Sequence, residues 1–187
     1  MSAAELRYSR VAIVLHWAIA VLIVGNVILA WSVDELPDGW VRPVIDTHKS
    51  IGITVLGLAL MRLLWRAGHA PPPLPAAYPR WERISAHLGH AALYVLIVAL
   101  PVSGWMHDSA WKDAPTHPMQ WFHLFEWPRI GSIMRLDPDT KELMHTRFGR
   151  LHAWLGYALY ALLAIHVGAA LKHQLIDKEP ELQRMKF

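Results

Sequence analysis

The chain contains four stretches of about 20 mainly apolar residues, at 11–32, 47–66, 86–106 and 149–171. About 20 apolar residues is the length that an α-helix needs to cross the hydrocarbon core of a bilayer. Shorter polar segments separate the four stretches. The pattern therefore predicts an all-α integral membrane protein, a bundle of four spanning helices.

The segments between the spans differ in character. Residues 67–85 include "AGHAPPPLPAAYPRWER", whose prolines cannot continue a helix and predict a semi-rigid connector. Residues 107–148 form the long loop, and its aromatic stretch "MQWFHLFEW" predicts a short helix in the headgroup layer. The first span lacks a small-residue cleavage site and is too long for a signal sequence, so we expect it to be retained. With no internal repeat, residues 1–187 are expected to form one domain.

Composition narrows the class of protein. The chain is 54% hydrophobic, which is too apolar for an ordinary soluble domain. It contains no cysteine, which excludes thiolate zinc sites, iron–sulfur ligation and thioether-linked haem. The net charge of +3 is too small to indicate nucleic-acid binding. Twelve histidines are unusually many, and they are the candidate chemistry of this chain.

The distribution of basic residues predicts the orientation. If both termini lie inside, the inner segments carry ten Lys and Arg against five Asp and Glu, and the outer segments carry eight against ten. The short 67–85 connector and its flanks hold four of the inner arginines, and short loops weigh most under the positive-inside rule. We therefore expect an N-in, C-in topology.

Four histidines fall at two matched depths of the predicted spans. His152 and His166 are fourteen residues apart in the last span. An α-helix turns about 100° and rises about 1.5 Å per residue. The two rings are therefore about 40° apart around the helix axis and about 21 Å apart along it. His16 lies near the inner end of the first span and His48 at the outer end of the second. The expected pairs are therefore His16 with His166 and His48 with His152.

Two imidazoles at each of two depths are the axial ligands that two non-covalent b haems require. A single histidine in a membrane helix is as often a hydrogen-bonded packing residue, but packing explains a matched set of four less well. Zinc or copper would need further ligands, and a proton relay would need carboxyl groups, of which the spans hold only Asp46 at an edge. A haem-free scaffold or transporter is the alternative from another class.

Four segments of the chain resemble the helices of the bacterial cytochrome b561 family: "YSRVAIVLHW", "DTHKSIGITVLGLALMRLLWR", "AHLGHAALYVLIVALPVSGW" and "LHAWLGYALYALLAIHVGAALKHQ". That family is similar in architecture to the cytochrome b subunits of nickel–iron hydrogenases and formate dehydrogenases. The resemblance implies a dihaem membrane cytochrome that passes electrons between a donor and the quinone pool of the bacterial inner membrane. It implies the same axial ligands, His16 with His166 for the inner haem and His48 with His152 for the outer.

Several further residues are secondary candidates. His87 and His90 lie at the inner depth, where either in principle replaces His166, contacts a propionate or quinone, or simply packs. Lys49, Arg147 and Arg150 lie near the outer haem position, where they either neutralise propionates or extend to lipid headgroups. The remaining histidines fall in loops or at span edges and are expected to be solvated: His69, His107, His117, His123, His145 and His173.

The resemblance leaves the electron donor open. One branch of the family resembles superoxide oxidases, which take electrons from superoxide at the outer face and deliver them to ubiquinone. A positive outer surface would attract that anion, but the outer segments sum to a net charge of −2. The alternative is an electron-carrier subunit that serves a separate redox partner, with the 107–148 loop as a quinone-site cover or a docking surface.

Overall fold

Four long helices make up most of the protein. The computed structural model describes residues 7–75, 78–179 and 181–186. Its helices and strands are α1 (Arg10–Ser32), α2 (Asp38–Gly68), α3 (Arg80–Ser109), β1 (Gln120–Trp121), β2 (Phe125–Glu126), α4 (Gly131–Met134) and α5 (Pro138–Leu175). Helices α1, α2, α3 and α5 are long and apolar enough to cross a membrane. The predicted four-helix membrane architecture is confirmed.

Side chains cap the N-termini of two of the long helices. The Ser9 side chain accepts a hydrogen bond from the backbone N–H of Ala12, and Asp137 caps α5 in the same way, with Pro138 at the first helical position. Helix α5 has 38 residues and is about 57 Å long, against about 30 Å of hydrocarbon. The apolar windows therefore predicted the membrane-crossing parts of the helices but not their full lengths. Because α5 begins at Pro138, the connection between α3 and α5 is shorter than the predicted 107–148 loop.

The bundle packs α1 against α2, α2 against α3, and α3 against α5. Its central core includes Ile19 and Ile23 of α1, Val55 and Ala59 of α2, and Leu159 of α5. Many large apolar side chains on the outer surface are exposed, which suits a bundle surrounded by lipid. We call the end that carries Arg10, Gly68, Arg80 and Leu175 the inner end, and the opposite end the outer end.

The aromatic stretch after α3 is a β-hairpin, so the predicted interfacial helix over "MQWFHLFEW" is wrong. Strands β1 and β2 pair antiparallel, with Trp121 opposite Phe125. Phe122 and His123 have φ values of 47° and 59°, and the Leu124 N–H bonds the Trp121 carbonyl at 2.9 Å. Two central residues with positive φ are characteristic of a type I′ hairpin turn.

A serine of α2 holds this hairpin in place. Ser50 Oγ accepts a hydrogen bond from the Phe122 N–H at 3.0 Å and lies 3.1 Å from the Gln120 carbonyl oxygen. Trp121 Nε1 donates to Thr54 Oγ1, one turn further along α2. These bonds offset a turn that is strained for side chains other than Gly or Asn. They position the hairpin over α2 beside His48.

Candidate functional site

The structure brings four of the twelve histidines together as two pairs. The ring centroids of His16 and His166 are 6.3 Å apart, and those of His48 and His152 are 6.1 Å apart. The first pair joins α1 to α5 near the inner end, and the second joins α2 to α5 near the outer end. Each pair therefore bridges two helices, at a different depth of the bundle.

The separation within each pair suits two axial ligands of one metal. An imidazole nitrogen bonds a transition metal at about 2.0 Å and lies about 1.1 Å from its ring centre, so trans imidazoles have centroids about 6.2 Å apart. The observed 6.3 Å and 6.1 Å lie close to that value. Both pairs therefore have the spacing that haem ligation requires, although edge-on ring packing gives the same spacing, as between Tyr157 and Tyr160 at 6.2 Å.

Hydrogen bonds at the outer pair determine which nitrogen of each imidazole ring is free to bind a metal. His48 Nδ1 lies 3.2 Å from the Asn26 carbonyl oxygen, and His152 Nδ1 lies 3.1 Å from the Leu100 carbonyl oxygen and 3.0 Å from Ser103 Oγ. A carbonyl oxygen only accepts, so each Nδ1 carries the proton and donates it. Each Nε2 then keeps its lone pair, which is the arrangement that orients a metal-binding imidazole.

The outer pair lines a cavity of about 390 Å³ between the helices. Gly104 of α3 lies against His152, because a Cβ at position 104 would be 3.1 Å from the His152 Cε1. The cavity walls are mainly apolar, and the buried Asn26 Oδ1 in the wall has no hydrogen-bond partner among the described residues. A cavity of this size, with two free imidazole nitrogens and an unpartnered polar atom, fits a flat, largely apolar group such as haem.

Lys49 lies at the mouth of this cavity, but carboxylates already neutralise its charge. Lys49 Nζ lies 2.6 Å from Asp108 Oδ1 and 3.3 Å from Asp46 Oδ1. Asp108 also accepts from Arg129 Nε at 2.8 Å, and the side chains of Asp108 and Arg129 are only 6% and 7% exposed. This cluster leaves no periodic pattern in the sequence, because Arg129 lies in the segment between α3 and α5.

The other two outer candidates lie away from the cavity. Arg147 and Arg150 are exposed on α5. Among the residues that the structure describes, the cavity lining includes Lys49 but neither arginine. Their proposed contact with a propionate therefore has no support from the geometry.

At the inner end, His90 joins the predicted pair. Its ring centroid is 5.5 Å from that of His166, closer than His16 is. That distance is shorter than the separation of about 6.2 Å for trans imidazoles, so His16 fits the role of axial partner better. His87 is exposed on α3. His90 therefore lies beside the inner pair, and His87 does not.

Two of the histidines expected to be solvated form a pair of their own. His107 and His145 stack with centroids 3.9 Å apart, and each Nδ1 bonds the backbone carbonyl of the other residue, at 2.9 Å and 3.0 Å. Gly149 makes room for this contact, because a Cβ there would be 2.9 Å from His107 Cε1. The pair fastens α3 to α5 outside the outer site, so the expectation of solvated rings is wrong for these two.

A bundle of four spanning helices that pairs imidazoles at two depths defines a class, the membrane-embedded electron-transfer proteins of the cytochrome b type. The family model described as prokaryotic cytochrome b561 matches residues 7–187. The chain belongs to this family, and membership implies a membrane protein that binds haem b.

Three relatives align over nearly the whole chain. "Cytochrome b561 homolog 2" of Escherichia coli K12 is 34% identical over 96% of this chain and 90% of its own length. "Probable superoxide oxidase CybB" of Yersinia pestis is 28% identical over 96% of this chain and 95% of its own. "Cytochrome b561 homolog 1" of Escherichia coli K12 is 27% identical, with 96% of each chain covered.

Proposed function

We propose that the protein is a dihaem cytochrome that carries electrons across the bacterial inner membrane, as one domain with both termini inside. His16 and His166 are the axial ligands of the inner haem, and His48 and His152 those of the outer. The observation that carries this proposal is the centroid separation of 6.3 Å and 6.1 Å in two pairs at different depths. The proposal rests on that geometry together with the family.

The residues at each site have distinct tasks. Bound haem supplies one-electron chemistry at its iron. With two histidines to hold each iron, the protein would leave no coordination site for a substrate and would confine electron exchange to the haem edge. The carbonyl groups of Asn26 and Leu100 hold the outer imidazoles in one tautomer. The apolar walls exclude water and thereby tune the reduction potential.

We further propose that the acceptor is ubiquinone and that superoxide is a donor at the outer end. Two superoxide ions each lose one electron to become dioxygen, and ubiquinone takes two electrons and two protons to become ubiquinol. The support comes from a relative named a probable superoxide oxidase, with 95% of its length aligned. This activity would make the protein an oxidoreductase in its own right.

The second candidate is an electron-carrier subunit that receives electrons from a separate redox partner. The charge at the outer site favours it, because Asp108 and Asp46 neutralise Lys49 and thus weaken any attraction of an anion to the cavity mouth. The folded hairpin over α2 would then be part of the surface that meets the partner.

Histidine replacements test the ligand assignment. Each of His16→Ala, His48→Ala, His152→Ala and His166→Ala should lose about one of two haems, while His87→Ala, which changes an exposed ring at the inner depth, should lose none. Haem is measured per chain by the pyridine haemochromogen assay. Retention of full haem by all four ligand variants would refute the assignment, and a colourless native protein would favour the haem-free scaffold.

A pulse of superoxide tests whether superoxide or a separate redox partner is the electron donor. The superoxide-oxidase proposal predicts haem reduction faster than in a sample with superoxide dismutase, followed by reoxidation when ubiquinone is present. If the pulse reduces haem no faster than the control, superoxide is not the donor and a redox partner must supply the electrons.

A further inference from the structure

One arginine of α2 occupies the depth of the inner histidines. Arg62 follows His48 by fourteen residues, the same spacing that separates His152 from His166 in α5. It therefore lies within about 40° of the His48 face and about 21 Å further inward. Arg62 bonds Tyr94, which follows His90 by one helical turn of α3, and the His90 ring centroid is 5.5 Å from that of His166. Helix α2 thus presents an imidazole to the outer site and a guanidinium to the inner one.

The guanidinium of Arg62 is oriented by a tyrosine of α3. Arg62 Nε donates to Tyr94 Oη at 3.0 Å. The guanidinium carbon of Arg62 also lies 5.8 Å from the centre of the Tyr94 ring, and that of Arg66 lies 5.5 Å from it. With Nε occupied, the two terminal nitrogens of Arg62 remain to bind a ligand in the fork geometry that suits a carboxylate.

Among the described residues, no carboxylate lies beside Arg62 in the cavity that it lines. This cavity of about 550 Å³ opens at the inner end, next to the histidine site rather than within it, and its described lining includes Arg62, Arg66 and Tyr94 but no Asp or Glu. None of the ion pairs among the described residues includes Arg62. A half-buried cation without an anionic partner is costly, so the site is suited to receive an anion.

We infer that Arg62, held by Tyr94, is the partner of a propionate carboxylate of the inner haem. The inference rests on the proposed dihaem function, since haem is the bound group that would bring a carboxylate to this depth. The inner site differs in this respect from the outer site, where Asp108 and Asp46 already neutralise Lys49. Arg62 is a positioning residue that also raises the inner haem's reduction potential, because a nearby positive charge stabilises the added electron.

Spectroscopic redox titration of Arg62→Gln tests the inference without an activity assay. We expect the inner haem's equilibrium constant for reduction to fall about tenfold, which is about 59 mV for one electron. Arg62→Lys should recover most of this loss because it keeps the charge. Tyr94→Phe should give a smaller fall, since it removes only the hydroxyl that orients the guanidinium. Arg83→Gln removes an exposed arginine at the same end and should change neither potential.

The titration separates the possible failures. If Arg62→Gln keeps both haems and has the potentials of Arg83→Gln, the inference is overturned while the dihaem proposal stands. If the native protein holds a single haem, the proposed function itself fails. A fall that occurs in nanodiscs with phosphatidylglycerol but is absent with zwitterionic phosphatidylcholine alone would assign Arg62 to an anionic lipid headgroup and also overturn the inference. Should Arg62→Gln not fold, Tyr94→Phe carries the test: a fall smaller than tenfold supports the inference, and potentials equal to those of Arg83→Gln overturn it.

Discussion

Replacement of Gly104 by alanine should disturb the outer haem and spare the inner one. The new Cβ would lie 3.1 Å from Cε1 and 3.3 Å from Nδ1 of His152, tighter than ordinary van der Waals contact. The ring has little room to retreat, because its Nδ1 is held by the Leu100 carbonyl at 3.1 Å and by Ser103 Oγ at 3.0 Å. Overpacking of this kind costs about 1–3 kcal/mol, so we expect roughly 5- to 150-fold weaker binding at the outer site.

The assay is the transfer of haem to an excess of a haem-scavenging apoprotein, followed by absorbance. Gly104→Ala should release one haem fast and the other at the native rate. Gly57→Ala is the matched control, since Gly57 is a helical glycine whose added Cβ would meet nothing within 4 Å. If Gly104→Ala and Gly57→Ala release haem identically, the packing of His152 against α3 does not hold the outer ligand, and the reasoning is refuted.

Three further substitutions probe the surrounding bonds. Ser103→Ala removes one of two acceptors from the outer ligand and should weaken outer haem binding by about tenfold or less in the same assay, whereas a complete loss of haem would contradict a supporting role. Asp108→Asn leaves the buried Arg129 without a carboxylate and Lys49 with Asp46 alone, and should cost about 3–5 kcal/mol, seen as a lower thermal midpoint, unlike exposed Asp139→Asn. The hydrogen bond from Lys172 lowers the pKa of Asp177 below 3.8, so its stabilising contribution is complete above that value and lost as pH falls through the lowered pKa. Asp177→Asn should therefore be less stable than native protein at pH 5, and the difference should shrink as the pH falls below about 4; a difference that stays the same down to pH 2 would contradict the assignment.

Hydropathy and helix geometry were sufficient to predict the spans and the histidine pairs. Four apolar windows were enough to predict the number of spanning helices, because each crossing of a bilayer requires about 20 apolar residues. The fourteen-residue spacing of His152 and His166 predicted two depths on one face, because helix periodicity is nearly invariant. The structure places His16 beside His166 and His48 beside His152, as that spacing predicted.

Contacts between residues of separate segments could not be predicted from the sequence. The hairpin at Phe122 and His123 lacks the Asn-Gly or Gly signal of a type I′ turn, and its stability comes from Ser50 on a distant helix. The stacking of His107 with His145 likewise depends on the approach of α3 to α5. Residues brought together from separate segments leave no periodic pattern, so such clusters are invisible to analysis by spacing.

The haem content of the unmodified protein is the most direct test of the central claim. Pyridine haemochromogen analysis combined with quantitative amino-acid analysis gives the number of b haems per chain. Two imidazole pairs at separate depths predict two, both low-spin in the optical spectrum because both axial positions are filled. A ratio of one haem per chain in fully loaded protein would contradict the account.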